Sequence, residues 1–320
     1  MPITYAGLPV LSLILASCVA GLLIIVLLPD ERDDLVKGVS AAFSGITLAY
    51  DRELGGLQFV ERVAWIPSLG INYFNGVDGF SLPNLLLTGI VFFTGVLTMW
   101  ELKTRVKEFF ALYFLLVTGV FGLFMSLDLF FIFVWYDVSL FPMYLLIAVW
   151  GTTRKEYGAM KLTLYLLAGS ALILPAIIYL YAGSGLRTFD VVALMQPGVL
   201  SAEQQKFAFL PIFLGFGILA AVWPFHTWSP VGHVAAPHAV SMVHAGVLMK
   251  IGAFGVLRVG IRLCPEGWRH WAELMSVLAA IGIVYGALAG LRQTDLKYVI
   301  GYSSVSHLGI VGLGLATVTA

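Results

Sequence analysis

Ten apolar segments dominate the chain and restrict its fold more than any other feature. A helix that crosses the hydrocarbon core of a bilayer needs about 20 mostly apolar residues. Since lipid offers no hydrogen-bond partners, such segments must be helical. Only 11% of the residues are charged, against about 25% in soluble domains. We therefore predict an all-α, polytopic membrane bundle, with no boundary dividing residues 1–320. The segments are 7–28, 36–50 (the shortest), 82–100, 109–126, 129–149, 158–182, 207–223, 235–257, 271–291 and 298–318.

Residues 213–255 combine apolar character with residues that interrupt helices. Pro224, Pro230 and Pro237 each lack a backbone N–H, which favours a break. At membrane depth a break is tolerated only where protein or a hydrated cavity covers it. The stretch therefore predicts a discontinuous helix around 207–234. A re-entrant loop kinked for packing is the alternative.

Asp137 in the fifth apolar segment and Lys250 in the eighth lie deep among apolar residues. Charge at membrane depth is costly, so such residues usually pair or lie on ion pathways. We predict that both carry protons. The alternatives are an Asp137 that bonds to nearby backbone and a Lys250 whose ammonium reaches the membrane surface.

Histidines extend this set of candidates. His307 follows Ser303 and Ser304 at helical spacing, which suggests a hydroxyl–imidazole relay, although a packing role explains a lone histidine equally well. His226, His233 and His244 in the interrupted region are auxiliary candidates. Lys161 is another, but a surface-reaching role is favoured for it. The histidine spacings match no zinc pattern, and two cysteines are too few for an iron–sulfur cluster, which needs about four ligands.

The charges in the loops indicate how the chain is oriented in the membrane. Tight loops 101–108 and 151–157 are rich in Lys and Arg, which predicts that they are cytoplasmic and that both termini lie outside. Arg258 and Arg262 are assigned to a loop on the outer side. Residues 51–81 are too polar to span and predict a hairpin or extended loop, with Asp78 in a turn. Asp128 is predicted to begin the fifth span. The net charge of zero gives no reason to expect nucleic acid.

Several motifs then resemble one family. They are WIPSLGINYFNGVDGFSLP at 65–83, FPMYLLIAVWG after Asp137, PFHTW at 224–228, GHVAAP at 232–237, HAGVLMKIGAFG at 244–255 and QTDLKYVIGYSSVSHLG at 293–309. Taken together and in this order, they resemble the antiporter-like membrane subunits of respiratory complex I, above all the chain M type of bacterial NADH–quinone oxidoreductase.

The resemblance implies a fourteen-helix fold of two inverted five-helix repeats, each with a broken helix. On this basis spans one to three, at 1–108, are peripheral. The first repeat covers about 109–257, and the second begins at about 271–320. The second broken helix is missing, which suggests a partial chain.

The resemblance also assigns roles. Asp137 matches a buried glutamate, Lys250 a lysine of the eighth span and His307 a histidine of the tenth. The sequence departs from the family at Leu219, where a lysine is usual. The acid–lysine pair is therefore broken, and His226 or His244 could partly substitute.

The implied function is proton translocation by a non-redox subunit of NADH–quinone oxidoreductase in the bacterial inner membrane. The chain itself would bind no cofactor. Flavin, iron–sulfur clusters and quinone would belong to partner subunits, and its own contacts would be other membrane subunits and lipid. Alternatives are a subunit of an Mrp-type sodium/proton antiporter or membrane-bound hydrogenase, and a structural subunit whose proton path was lost with the change at Leu219.

Overall fold

The computed structural model describes residues 9–27 and 55–317, so the predicted segment at 36–50 lies outside the described residues. The elements are α1 (Val10–Leu27), β1 (Gln58–Ile66), β2 (Ile71–Val77), α2 (Ser81–Thr98), α3 (Val106–Met125), α4 (Leu129–Trp150), α5 (Lys155–Gly183), α6 (Val191–Leu194), α7 (Ala202–Leu219), α8 (Trp228–Ala235), α9 (His238–Ile261), α10 (Pro265–Leu291) and α11 (Leu296–Ala316). Within α9, His244–Leu248 and Val256–Ile261 are wound as π-helix.

Seven of the described helices are long and apolar enough to cross a membrane, which confirms the predicted helical membrane bundle. The eighth predicted segment was wrong at its end. The prediction ends this segment at 257 because Arg258 is assigned to the following loop. In the structure α9 continues to Ile261, since the Arg258 side chain is buried and ion-paired.

The third helix lies at the centre of the described bundle. In its most apolar stretch 78% of residues are buried, against 22% in α10 and 28% in α11. Its aromatic side chains explain this position: Phe109, Tyr113 and Phe114 are fully buried, and Phe92 of α2 packs against the last two. The core therefore forms around α3, whereas α10 and α11 leave broad apolar faces uncovered by the described residues.

Residues 58–77 form an antiparallel hairpin, as predicted for the polar connection. Its side chains bind the N-termini of helices. The Glu61 carboxylate accepts hydrogen bonds from the backbone N–H groups of Leu11 (2.7 Å) and Ser12 (3.0 Å) in the first turn of α1. A carboxylate there satisfies free N–H groups and opposes the positive end of the helix dipole. The hairpin thereby fixes where α1 begins.

The same hairpin reaches two further helix starts. Asp128 caps α4, as expected, by accepting from the N–H of Phe130 at 3.0 Å, and its second oxygen accepts from the Asn72 N–H of β2 at 3.0 Å. Arg62 of β1 forms an ion pair of 2.9 Å with Asp190, which caps α6. The hairpin thus connects several helix ends at one membrane face.

The two basic loops lie together at the opposite face. The Trp150 indole donates to the Thr104 carbonyl at 3.0 Å, and the Thr152 N–H donates to Ala235 at 2.9 Å. The sequence grouped loops 101–108 and 151–157 on one side by their charge, and the fold places them side by side. Which side of the membrane this is remains a prediction.

Asp128 generates a prediction about pH. Burial raises the pKa of its carboxyl from 3.8 to about 6, and nearby Asp190 adds to the rise, although three backbone N–H donors oppose it. The folded state therefore binds a proton between pH of about 4 and 6 that the unfolded state releases. Stability linked to this group falls as pH rises through that window.

We expect the difference in unfolding free energy between wild type and Asp128→Asn to decrease by roughly 1–3 kcal/mol from pH 4 to pH 7. Thermal unfolding of the purified protein across this range measures it. Ser201→Ala, which removes the hydroxyl cap of α7, is the control and should give a flat difference, because neither side chain binds or releases a proton in this range. A flat difference for Asp128→Asn as well would contradict the prediction.

Candidate functional site

The predicted interruption lies between α7 and α8. The helix ends at Leu219, residues 220–227 form turns, and Trp228 begins the next helix. Pro224 lies within the break, whereas Pro230 is in the first turn of α8 and Pro237 directly precedes α9, positions where a missing N–H costs little. Only one of the three prolines therefore interrupts a helix.

Side chains of the protein cover the broken backbone. The Trp228 indole N–H donates to the Ile218 carbonyl at 2.9 Å, which satisfies an acceptor at the end of α7. The Thr227 hydroxyl pairs with the Tyr165 hydroxyl of α5 at 3.0 Å. Because these partners come from protein, the break can exist at membrane depth.

Three aromatic rings form a buried stack beside the break. The His244 ring lies between Trp228, with centroids 5.0 Å apart, and His233, at 4.0 Å, and both contacts are nearly parallel. All three side chains are at most 1% exposed. We call Trp228, His233 and His244 the histidine stack. The spacing of these residues in the sequence does not predict this contact, because Trp228 and His233 lie on α8 whereas His244 lies on α9.

The stack contains polar atoms that lack protein partners. His233 Nδ1 lies 3.2 Å from the Ser241 hydroxyl, but within the described part of the chain His233 Nε2 and both His244 nitrogens have no hydrogen-bond partner. Buried polar atoms are nearly always paired with protein or water. The stack therefore places polar ring nitrogens in the core whose hydrogen bonds the described side chains do not supply.

Lys250 lies on α9 between its two π-helical segments. Its half-buried ammonium donates to the carbonyl of Ala245, the residue after His244. It also lines a cavity of about 200 Å³ with Asn84 of α2 and Phe254. The predicted membrane-embedded ammonium is thus bound to the backbone of the residue that follows His244, and π-helical segments such as these are frequent at functional sites.

Close backbone contact fixes α9 against α7. A Cβ atom at Gly252 would overlap the Ala220 nitrogen and the Phe216 carbonyl. Only glycine lets the backbones approach this far. The position of Lys250, two residues earlier, therefore depends on contact with the end of the broken helix.

Asp137 lies on α4, and its partner is a hydroxyl. The Ser170 hydroxyl of α5 donates to Asp137 Oδ1 at 2.9 Å. Over residues 9–27 and 55–317 no Lys, Arg or His nitrogen lies within ion-pair distance of this carboxyl, and Leu219, the position expected to carry lysine, is a buried apolar residue. The broken acid–lysine pair inferred from the sequence has no replacement by direct contact here.

The substitutes proposed from the sequence lie elsewhere. His244 belongs to the histidine stack, and the His226 ring packs edge-on against Tyr285 of α10 with centroids 4.8 Å apart. Lys161 sits over the Tyr157 ring at 5.8 Å near the start of α5, a geometry in keeping with an ammonium directed to the surface. None of these three contacts Asp137 directly.

His307 faces a groove at the edge of the described bundle. Its Nδ1 lies 3.3 Å from the Ser303 hydroxyl, as the spacing suggested, but Ser304 donates to the Ile300 carbonyl instead. The ring is exposed and lines a groove of about 500 Å³ between α10 and α11. The structure therefore separates His307 from the histidine stack and from Asp137.

Sequence reasoning missed one charged cluster. Arg258 of α9 and Arg262, which directly follows the end of α9, bind the two oxygens of Asp78 at 2.7 Å and 3.1 Å. Asp78 is in a turn, as predicted, but it also joins the hairpin to α9. The available signal was the four-residue spacing of the two arginines, which places them on one helix face. We call these three residues the arginine cluster.

A helical membrane bundle built around an interrupted helix, with ionisable side chains at the interruption, is an architecture typical of ion-translocating membrane proteins. Residues 126–320 match the family model described as NADH:quinone oxidoreductase/Mrp antiporter, TM. The chain belongs to this family, which confirms the resemblance drawn from its motifs.

Individual relatives agree with this assignment. The chain is 34% identical to NAD(P)H-quinone oxidoreductase chain 4 1 of Nostoc sp. over 97% of its length and 59% of that protein, and 36% identical to chain 4 3 of Picosynechococcus sp. over 97% and 58%. It thus spans about three fifths of these relatives. Among solved structures, a chain of Thermus thermophilus respiratory complex I with bound NADH superposes with a TM-score of 0.84 at 28% identity, over 96% of this chain and 64% of that one.

A chain of the Mrp complex from Dietzia sp. superposes with a TM-score of 0.80, over 96% of this chain and 58% of that one. At 21% identity this likeness concerns the fold alone.

The contact at Gly252 predicts a steric effect. Gly252→Ala should lower the free energy of unfolding by about 1–3 kcal/mol, because the added methyl meets backbone atoms that cannot move aside. Gly314→Ala on α11 is the matched control, since a Cβ there meets open space, and it should be neutral or stabilising. Thermal unfolding of both variants measures the difference. Equal midpoints would show that α9 and α7 can separate without cost.

Proposed function

We propose that this chain is the proton-translocating part of an antiporter-like subunit of NADH–quinone oxidoreductase, and that it takes no part in electron transfer. The observation that carries the proposal is the half-buried Lys250 ammonium on α9, the helix that carries His244 and packs at Gly252 against the end of the broken helix. Family membership and the relatives' names support it. Flavin, iron–sulfur clusters and quinone would then reside in partner subunits.

Local contacts suggest how Lys250 would work. Among the described residues its ammonium donates to one carbonyl, that of Ala245, and both ring nitrogens of His244 have no hydrogen-bond partner. A lysine with no carboxylate within ion-pair distance in the described chain can exchange its proton with water or imidazole when a nearby charge changes. Movement of charge in a neighbouring subunit would therefore protonate or deprotonate Lys250.

Asp137 would be a second carrier rather than half of an ion pair. Ser170 donates to its carboxylate oxygen, and no cation in the described chain neutralises it. A carboxyl in this setting can take up and release a proton while its neighbours stay in place. Exchange between Asp137 and Lys250 would require intervening water, because the two side chains do not touch.

The proposed function implies a location and an orientation for the chain. The subunit would lie in the bacterial inner membrane with other membrane subunits and lipid around it. Loops 101–108 and 151–157 would face the cytoplasm, and the hairpin the outside. His307, exposed at the groove between α10 and α11, would act with residues beyond those described.

Lys250→Gln tests the carrier role directly. Glutamine preserves length and hydrogen bonding but cannot exchange a proton, so we expect proton translocation by the assembled complex in vesicles to fall about tenfold or more. Lys206→Gln, which removes an exposed ammonium paired with Glu203 on α7, is the control and should behave as wild type. Lys161→Gln should also translocate protons as wild type does if the Lys161 ammonium is directed to the membrane surface.

Retained translocation in Lys250→Gln, with normal assembly, would favour a structural subunit whose path no longer conducts. Repeating the assay with and without sodium separates a proton carrier from a sodium/proton antiporter. Sodium-dependent transport would count against the proposal.

Asp137→Asn tests the second carrier. The amide oxygen can still accept the Ser170 hydrogen bond, so we expect normal assembly and stability but reduced translocation. Ser170→Ala is the matched variant, since it removes the hydrogen bond and leaves the carboxyl. Unchanged pumping in Asp137→Asn would reject a carrier role for Asp137 without affecting that of Lys250.

A further inference from the structure

The arginine cluster lies at the hairpin end of α9, away from the residues assigned to proton transfer. Arg258 is almost completely buried, with 4% of its side chain exposed, whereas 41% of the Arg262 side chain is exposed. Arg258 is further fixed over the Phe254 ring at 4.9 Å. The arginine cluster is thus held in place by the packing of the fold.

Asp78 is fully engaged by the contacts it already makes. Besides the two guanidinium groups, one of its oxygens accepts from the Phe80 N–H (3.2 Å) and from the N–H and hydroxyl of Ser81 (both 2.9 Å). Burial acts to raise the pKa of Asp78, but Arg258, Ser81 and Arg262 together outweigh it and lower the pKa below its ordinary value. One ionised carboxylate therefore faces two guanidinium groups, and one positive charge is left over.

A cavity of about 210 Å³ adjoins this surplus charge. Both arginines and Asp78 line it, with Gln196 as a further polar group and Leu127, Val191 and Met195 among the apolar walls. A water molecule occupies about 30 Å³ of liquid, so the space admits a group several times larger. Each guanidinium has five N–H donors, more than the single carboxylate can satisfy.

We propose that this cavity binds a phosphate group, either that of an anionic phospholipid headgroup or free phosphate. The planar guanidinium fork of Arg262 matches phosphate geometry, and the group would neutralise the excess charge. The apolar walls suit the glycerol and upper acyl chains of a lipid, and the cavity lies at the membrane face that carries the hairpin. The occupant would bridge α9 to the segment around α6.

The experiment uses the intact protein in its complex, delipidated and returned to nanodiscs. Wild type, Arg262→Gln and Arg269→Gln are compared in phosphatidylglycerol and in phosphatidylcholine, and retained lipid is measured by native mass spectrometry. Arg262→Gln keeps the Arg258–Asp78 pair, so the fold should persist. Arg269, paired with Glu266 in the first turn of α10, is an exposed arginine of the same face.

We expect wild type and Arg269→Gln to retain phosphatidylglycerol over phosphatidylcholine, and Arg262→Gln to retain about tenfold less. Arg262→Lys should be intermediate, since it keeps the charge but loses the fork. Inorganic phosphate that binds wild type without lipid, and is lost in Arg262→Gln, would identify free phosphate as the occupant. Equal retention in all variants, or equal loss in Arg269→Gln, would overturn the proposal and leave the role of Lys250 untouched.

Discussion

The whole arrangement depends on satisfying the backbone of an interrupted helix inside a membrane. Each free N–H or C=O group would cost several kcal/mol in hydrocarbon. The protein meets this requirement with its own side chains: the Trp228 indole reaches the Ile218 carbonyl at the end of α7, and the Tyr165 hydroxyl of α5 pairs with Thr227 inside the break. These partners come from different helices. The break is therefore a product of the assembled bundle.

Satisfying the break also creates the candidate site. Trp228 is both the hydrogen-bond donor that completes α7 and the first ring of the histidine stack. Close packing of Gly252 against the end of α7 then fixes the helix that carries Lys250. The residues that stabilise the break also position the ionisable side chains. A substitution that weakens this packing should therefore also disturb the candidate site.

At the other end of the bundle the hairpin connects helix termini by charge. Glu61 binds the start of α1, the Asn72 N–H binds the cap of α4, and Arg62 binds the cap of α6. The arginine cluster extends this arrangement to α9. Helix N-termini carry partial positive charge, which the carboxylates of Glu61, Asp128 and Asp190 offset, and the hairpin is held to these helix starts by several modest interactions acting together.

The pair expected from family resemblance is the main point where the chain differs. Leu219 is buried where a lysine was expected, and Asp137 bonds to Ser170 instead. The division of 109–257 and 271–320 into repeats stays a prediction. The roles of Asp137, Lys250 and His307 also stay predictions until they are measured.

Sequence alone determined the membrane class, the helical segments, the interruption near Pro224 and the identity of the embedded charges. These follow from local properties: apolar length, missing N–H groups and the cost of charge in lipid. Only the tertiary structure decided which groups meet. The histidine stack joins α8 and α9, and the arginine cluster joins the hairpin to residues 180 and 184 positions later. Such contacts depend on how helices pack, which hydropathy and helical periodicity do not specify.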